Sequence, residues 1–138
     1  MTVGTDGAWR CATGPIVSSD FMMGEIYDAR RVPRDGLPAR EVLAPAAPLV
    51  AQRNEPVRVT EKFAPIAAGE IGPGVFIYDF GQNIAGFVRL RVRGLPAGTR
   101  LQLRHAERLS PDGTLYTENL RRAKAVDVYI ARGDAEEV

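Results

Sequence analysis

The sequence predicts an all-β protein, an antiparallel sandwich of jelly-roll or lectin-like kind. Three observations lead there. Apolar and polar residues alternate with a period of two in several short stretches. Fourteen glycines and ten prolines are spread through the 138 residues and punctuate those stretches. No long amphipathic helical pattern, internal repeat or low-complexity tract interrupts them.

Taken in order, GPIVSSD reads as a strand running into a turn, and GEIYDAR as a second strand. Residues 32–54 differ. Prolines at 33, 38, 45 and 48 remove backbone donors, so this stretch reads as an extended, Pro-rich connector on a surface. In VRVTEKF, Val57, Val59 and Phe63 share one face, and Arg58, Thr60 and Lys62 take the other. Gly72-Pro73-Gly74 turns the chain into VFIYDF. FVRLRVR is the clearest strand signal. Val88, Leu90 and Val92 point inward and three arginines outward, and a one-residue slip would bury those arginines. LPAGT is a turn, and LQLRH continues with Leu101, Leu103 and His105 on one face. Ser110-Pro111-Asp112-Gly113 is a second turn with a clear mechanism. Proline presets φ, Asp bonds locally, and Gly is free to turn left-handed. Thr117 is placed to N-cap a short helical turn from Leu120 to Lys124, and VDVYIA is the last strand.

Length and charge narrow the function. A chain of this size sits near the commonest single-domain length and is long enough to bury a core. Eighteen basic and seventeen acidic residues give a net charge of +1, which argues against a dedicated nucleic-acid or membrane-surface partner. No apolar run approaches the roughly 20 residues of a membrane span. The N-terminus lacks the basic start and apolar centre of a secretory signal, which fits either a cytoplasmic protein or a piece of a longer exported chain. Cys11 is the only cysteine, so neither an internal disulfide nor a CxxC metal site can form.

The polar stretches admit chemical readings. Asp79-Phe80-Gly81 spells the kinase magnesium motif, but no phosphate loop or catalytic loop accompanies it. The favoured reading is a strand end and a Gly turn, with Gln82 and Asn83 bonding nearby backbone. His105 and Glu107 supply at most two metal ligands, fewer than a zinc site takes from protein, so a hydrogen-bonded structural histidine is favoured. Asp20, Glu25 and Asp28 lie within nine residues. Such carboxylates can hold calcium or hydrogen-bond sugar hydroxyls, and a solvated cluster is the ordinary alternative. Glycoside hydrolysis takes two carboxylates about 5–9.5 Å apart, and spacing nominates no such pair.

The ordered stretches GPIVSSDFMMGEIYDAR, PVRVTEKF, YDFGQNIAGFVRLRVRG and RHAERLSPDGTLYTENLRRAKAVDVYIARG resemble bacterial α-L-rhamnosidase of glycoside hydrolase family 78. DFGQNIAG and LYTENLR, found together, are its most specific part. The resemblance implies a protein several times longer, with N-terminal β-domains before a catalytic (α/α)6 barrel. It divides the chain into residues 1–50, a remnant of a preceding jelly roll plus the connector, and residues 51–138, a concanavalin-like β-sandwich. The family's catalytic acid and base lie in the barrel, so no catalytic residue is expected here, and the chain reads as an excised piece or a truncated reading frame.

A non-catalytic module packed on that barrel is therefore expected, with no cofactor. The alternative is a module binding rhamnose-containing glycans directly, with calcium at Asp20 and Glu25. Asp79, Gln82, Asn83, His105, Glu107, Glu118 and Asn119 are expected in turns and interfaces. If residues 1–50 are a remnant, their amides should be less protected than those of 55–133.

Overall fold

The computed structural model describes residues 4–138. The described residues are all-β, with ten strands in four sheets and two single-turn 3₁₀ helices. The centre is a four-stranded sheet of β2 (Ile16–Asp20), β3 (Gly24–Asp28), β9 (Val126–Ile130) and β8 (Arg100–Arg104), in the order β2-β3-β9-β8. The β2/β3 and β8/β9 pairs are antiparallel, while β3 and β9 run parallel, with Ile26 opposite Val128 and Asp28 opposite Ile130. That pair makes the sheet mixed rather than purely antiparallel. It also joins the first thirty residues to the last forty in one hydrogen-bonded layer.

Three further sheets have two strands each. β1 (Arg10–Cys11) pairs with β4 (Leu37–Pro38), where Pro38 is tolerated because the ribbon is an edge. β5 (Ala67–Gly72) and β6 (Val75–Asp79) form a hairpin. Its Pro73–Gly74 turn is held by the Gly74 amide donating to the Glu70 carboxylate at 2.9 Å. β7 (Val92–Arg93) pairs with β10 (Glu136–Glu137).

Several sequence expectations hold. In β8, Leu101 and Leu103 are half-buried and Arg100, Gln102 and Arg104 are exposed. The Ser110–Gly113 turn closes through the Gly113 amide to the Ser110 carbonyl at 2.9 Å, and Asp112 accepts from both Thr114 donors.

Others are overturned. VRVTEKF forms no strand, and of FVRLRVR only Val92–Arg93 is paired. Among the described residues no strand pairs with the rest of either stretch. A period-two pattern makes a strand only when a neighbour pairs with it. The helical turn falls at Glu118–Leu120, earlier than expected, and the Thr117 side chain does not cap it.

The core is also smaller than the length allows. Among the described residues, Ala29, Ile130 and Ala131 are the buried apolar ones. The accessible surface is 12301 Å², against roughly 7,000 Å² for a folded monomer of this mass. Leu43, Leu49 and Val57 are 99%, 103% and 98% exposed.

Residues 16–28 are woven into the central sheet, while 39–66 contain no strand.

Candidate functional site

The densest polar arrangement lies where the β2–β3 turn meets the start of β9. Asp20, at the end of β2, accepts the Met22 and Met23 amides at 2.8 and 2.9 Å, and those bonds hold its carboxyl below the usual range. The turn then presents two carbonyls. That of Met22 accepts from the Lys124 and Ala125 amides, and that of Met23 from the Val126 amide. Gly24 follows with φ of +102°, and a Cβ there would stand 2.1 Å from the Val126 carbonyl oxygen, so only glycine fits. On the facing segment Arg121 and Ala125 have φ of 56° and 47°. These left-handed residues cost of order 1–3 kcal/mol each and persist because the surrounding bonds fix them.

Asp127 sits at the centre of this junction. One carboxylate oxygen accepts the Glu25 amide at 2.7 Å, and the other lies 2.9 Å from His105 Nε2. It therefore ties β3, β8 and β9 together. The geometry follows from register. Asp127 stands opposite Leu103, and His105 lies two residues further along that face.

At the other end of the sheet Asp28 is buried and grips Arg30 with both oxygens, at 2.8 Å each. The Arg30 guanidinium holds the Asp28 carboxyl below its ordinary range, and that carboxylate in turn raises the guanidinium. Tyr27 and Tyr129 stack with centroids 5.9 Å apart. Beside them is a cleft of about 250 Å³ lined by Tyr27, Ala29, Val32, Tyr129, Arg132 and Glu137.

Glu137 is buried and accepts from the Tyr129 hydroxyl (2.6 Å) and the amides of Arg132, Gly133 and Asp134. Burial alone would raise its carboxyl. The four donors outweigh that and bring it down to about 2. Burial and this carboxylate together push the Tyr129 hydroxyl upward.

The structure thus separates the sequence candidates. Asp20 and the Glu25 backbone meet at the hairpin junction, whereas Asp28 lies at the far end of β3 and faces Arg30. Asp79 accepts the Gly81 amide at 2.7 Å in the turn after β6, and Gln82 and Asn83 are exposed beside it. His105 pairs with Asp127, and Glu107 is exposed. Glu118 and Asn119 are exposed in the second 3₁₀ turn. Among the described residues no three His, Cys, Asp or Glu side chains are grouped to hold a metal.

Asp127, Glu137 and Arg132 escaped the sequence reading. A lone Asp inside the apolar VDVYIA was the available signal for the first. Nothing local marks Glu137.

The chemistry of these clusters is internal. Asp20, Asp28, Asp127 and Glu137 are engaged by the chain's own donors, four of which converge on Glu137, and this suits a clasp better than an acid or base. The molecule is an all-β module fastened by its own carboxylates.

Comparison with known proteins gives the family. Residues 1–61 match the alpha-L-rhamnosidase N-terminal domain, and residues 69–138 the bacterial alpha-L-rhamnosidase concanavalin-like domain. The chain belongs to the bacterial α-L-rhamnosidase family and corresponds to these N-terminal regions. It is 47% identical to an alpha-L-rhamnosidase of Streptomyces avermitilis, with 99% of this chain and 14% of that protein aligned. It is 35% identical to one of Formosa agariphila, over 92% of this chain and 15% of that protein.

The crystal structure of the Streptomyces avermitilis enzyme complexed with L-rhamnose superposes with a TM-score of 0.81 at 46% identity, covering 96% of this chain and 14% of that one. The enzyme from Dictyoglumus thermophilum gives 0.82 at 35% identity, covering 96% and 16%. The chain therefore spans about one seventh of the length of these relatives.

Proposed function

We propose that this chain is a non-catalytic β-sandwich portion of an α-L-rhamnosidase, a structural module set against the catalytic (α/α)6 barrel of the same enzyme. The parent activity is hydrolysis of terminal α-L-rhamnose from glycosides. The observation that carries the reading is the open apolar surface. About 5,000 Å² more is exposed than a self-sufficient domain of this mass leaves to water. A module of that kind needs a large neighbouring body to cover it. The engaged carboxylates support the same reading, because they leave no free acid–base pair at either cluster.

The test is catalytic and binding together. The chain at high concentration should release no nitrophenol from 4-nitrophenyl α-L-rhamnoside, and L-rhamnose should cause no saturable shifts with or without calcium. Turnover would overturn the non-catalytic assignment. The alternative reading, a module that recognises rhamnosides itself, draws on the L-rhamnose complex of the Streptomyces relative. Saturable calcium-dependent shifts around residues 20–28 would establish it in place of the structural role.

A further inference from the structure

We propose that β7 and β10 are the paired end of a longer ladder, and that a strand of the same rhamnosidase polypeptide, prolonging β10, completes it along Phe87–Arg91. The inference rests on the structural-module reading and names the surface by which the module is joined to the rest of the enzyme.

The register states where that strand runs. Glu136 stands opposite Arg93 and Glu137 opposite Val92, antiparallel. The Gly94 amide donates to the Ala135 carbonyl at 3.1 Å. Hydrogen-bonded pairs in an antiparallel ladder recur every second residue. Val92, Leu90 and Val88 are therefore the residues whose amides point toward the partner, and those of Arg91 and Arg89 point away. In this register Val138 falls beside Arg91, and polypeptide continuing in that direction lies along Leu90, Arg89, Val88 and Phe87.

Among the described residues no strand pairs with this stretch, and Phe87 and Val88 are 79% and 43% exposed. A bare alternating edge of this kind is what proteins ordinarily pair or cover. Charge indicates the occupant's pattern. Glu136 reaches both Arg91 (3.3 Å) and Arg93 (3.1 Å), so the existing rung already sets a carboxylate against the arginine face. Continuing that pattern places apolar residues opposite Leu90 and Val88 and an acidic one opposite Arg89. The length of the relatives supplies the source, since about six sevenths of each of those chains lies outside the matched segment.

The test compares the 138-residue chain with the same chain extended after Val138. The extension is the run of about ten residues, a typical upper strand length, that follows the aligned position in the Streptomyces avermitilis enzyme. Amide exchange should slow at Leu90 and Val88 by at least about tenfold, with Arg89 and Arg91 little changed. Leu90→Pro in the extended chain should return Val88 to fast exchange. Protection of Val126–Ile130 serves as the control that each variant is folded. Unchanged exchange at both Leu90 and Val88, with the control intact, overturns the proposal. So does slowing in the unextended chain that grows with protein concentration, since a second copy would then be the occupant. Rhamnose binding leaves this result untouched and bears only on the function proposed above, so the two can fail separately.

Discussion

Leu101 and Leu103 in β8 alternate with polar residues and are half-buried, whereas Val57, Val59 and Phe63 alternate almost as regularly and stand in water. The difference lies in neighbours. β8 has β9 beside it, with Leu101 opposite Tyr129 and Leu103 opposite Asp127. Residues 57–63 have no strand alongside. Alternation therefore records a capacity for half-burial, and a second strand must be present before it becomes structure. One chain thus holds a closed region, the β2-β3-β9-β8 sheet, and an open one from residue 39 to residue 91 in which the β5–β6 hairpin stands alone.

The sharpest way to break this contrast is to wedge the closed region apart. Gly24→Ala places a methyl group against the Val126 carbonyl at a φ that alanine disfavours. It should cost of order 3–5 kcal/mol and erase amide protection in Ile16–Asp28 and Val126–Ile130 together. A variant that exchanged like the parent would show that the hairpin is not seated on β9. Ile130→Ala removes one of the few buried apolar side chains and should cost about 2–4 kcal/mol in urea-midpoint measurements.

Glu137→Gln should cost about 1–3 kcal/mol, because an amide cannot satisfy four donors as a carboxylate does. The same group sets an acid limit. Its folded value, about 2, lies below the ordinary 4.5. Its stabilisation is thus complete above pH 4.5 and lost as pH falls toward 2. Thermal melts across that window should fall less steeply in Glu137→Gln than in the parent; identical slopes would count against the clasp.

The smallest effect belongs to the open region. Leu43→Ser and Leu49→Ser should each change stability by less than about 0.5 kcal/mol, since both side chains are already in water. A loss of 2 kcal/mol at either would mean that residues 39–66 are packed in solution.

What the sequence revealed and what it hid follow the same division. Turns are local. Pro111-Asp112-Gly113 and Gly72-Pro73-Gly74 carry their geometry in consecutive residues, and both were legible. So were the faces of β8 and the existence of β9. The parallel pairing of β3 with β9 was not, because Ile26 and Val128 meet without any local pattern that links them. His105 was read as a structural residue, but its partner Asp127 could be assigned only once β8 and β9 were in register. Asp20 and Asp28 looked like one cluster because they are close in sequence. A strand of five residues carries Asp28 to the opposite end of the sheet, where Arg30 takes it. The resemblance carried by DFGQNIAG and LYTENLR pointed to the family, while the motifs themselves turned out to be a turn after β6 and a 3₁₀ turn.

The bond from the Glu25 amide to Asp127 spans 102 residues, and that separation sets a timetable. A ribosome adds about 5–20 residues per second. The β2–β3 hairpin therefore emerges roughly 5–20 s before the strand that holds it, with the β3 edge from Ile26 to Asp28 still waiting for its partner. For that interval the nascent chain carries an unpaired edge, so a slowed codon or a missing chaperone between residues 28 and 126 would be felt at the N-terminal hairpin, far upstream of the delay.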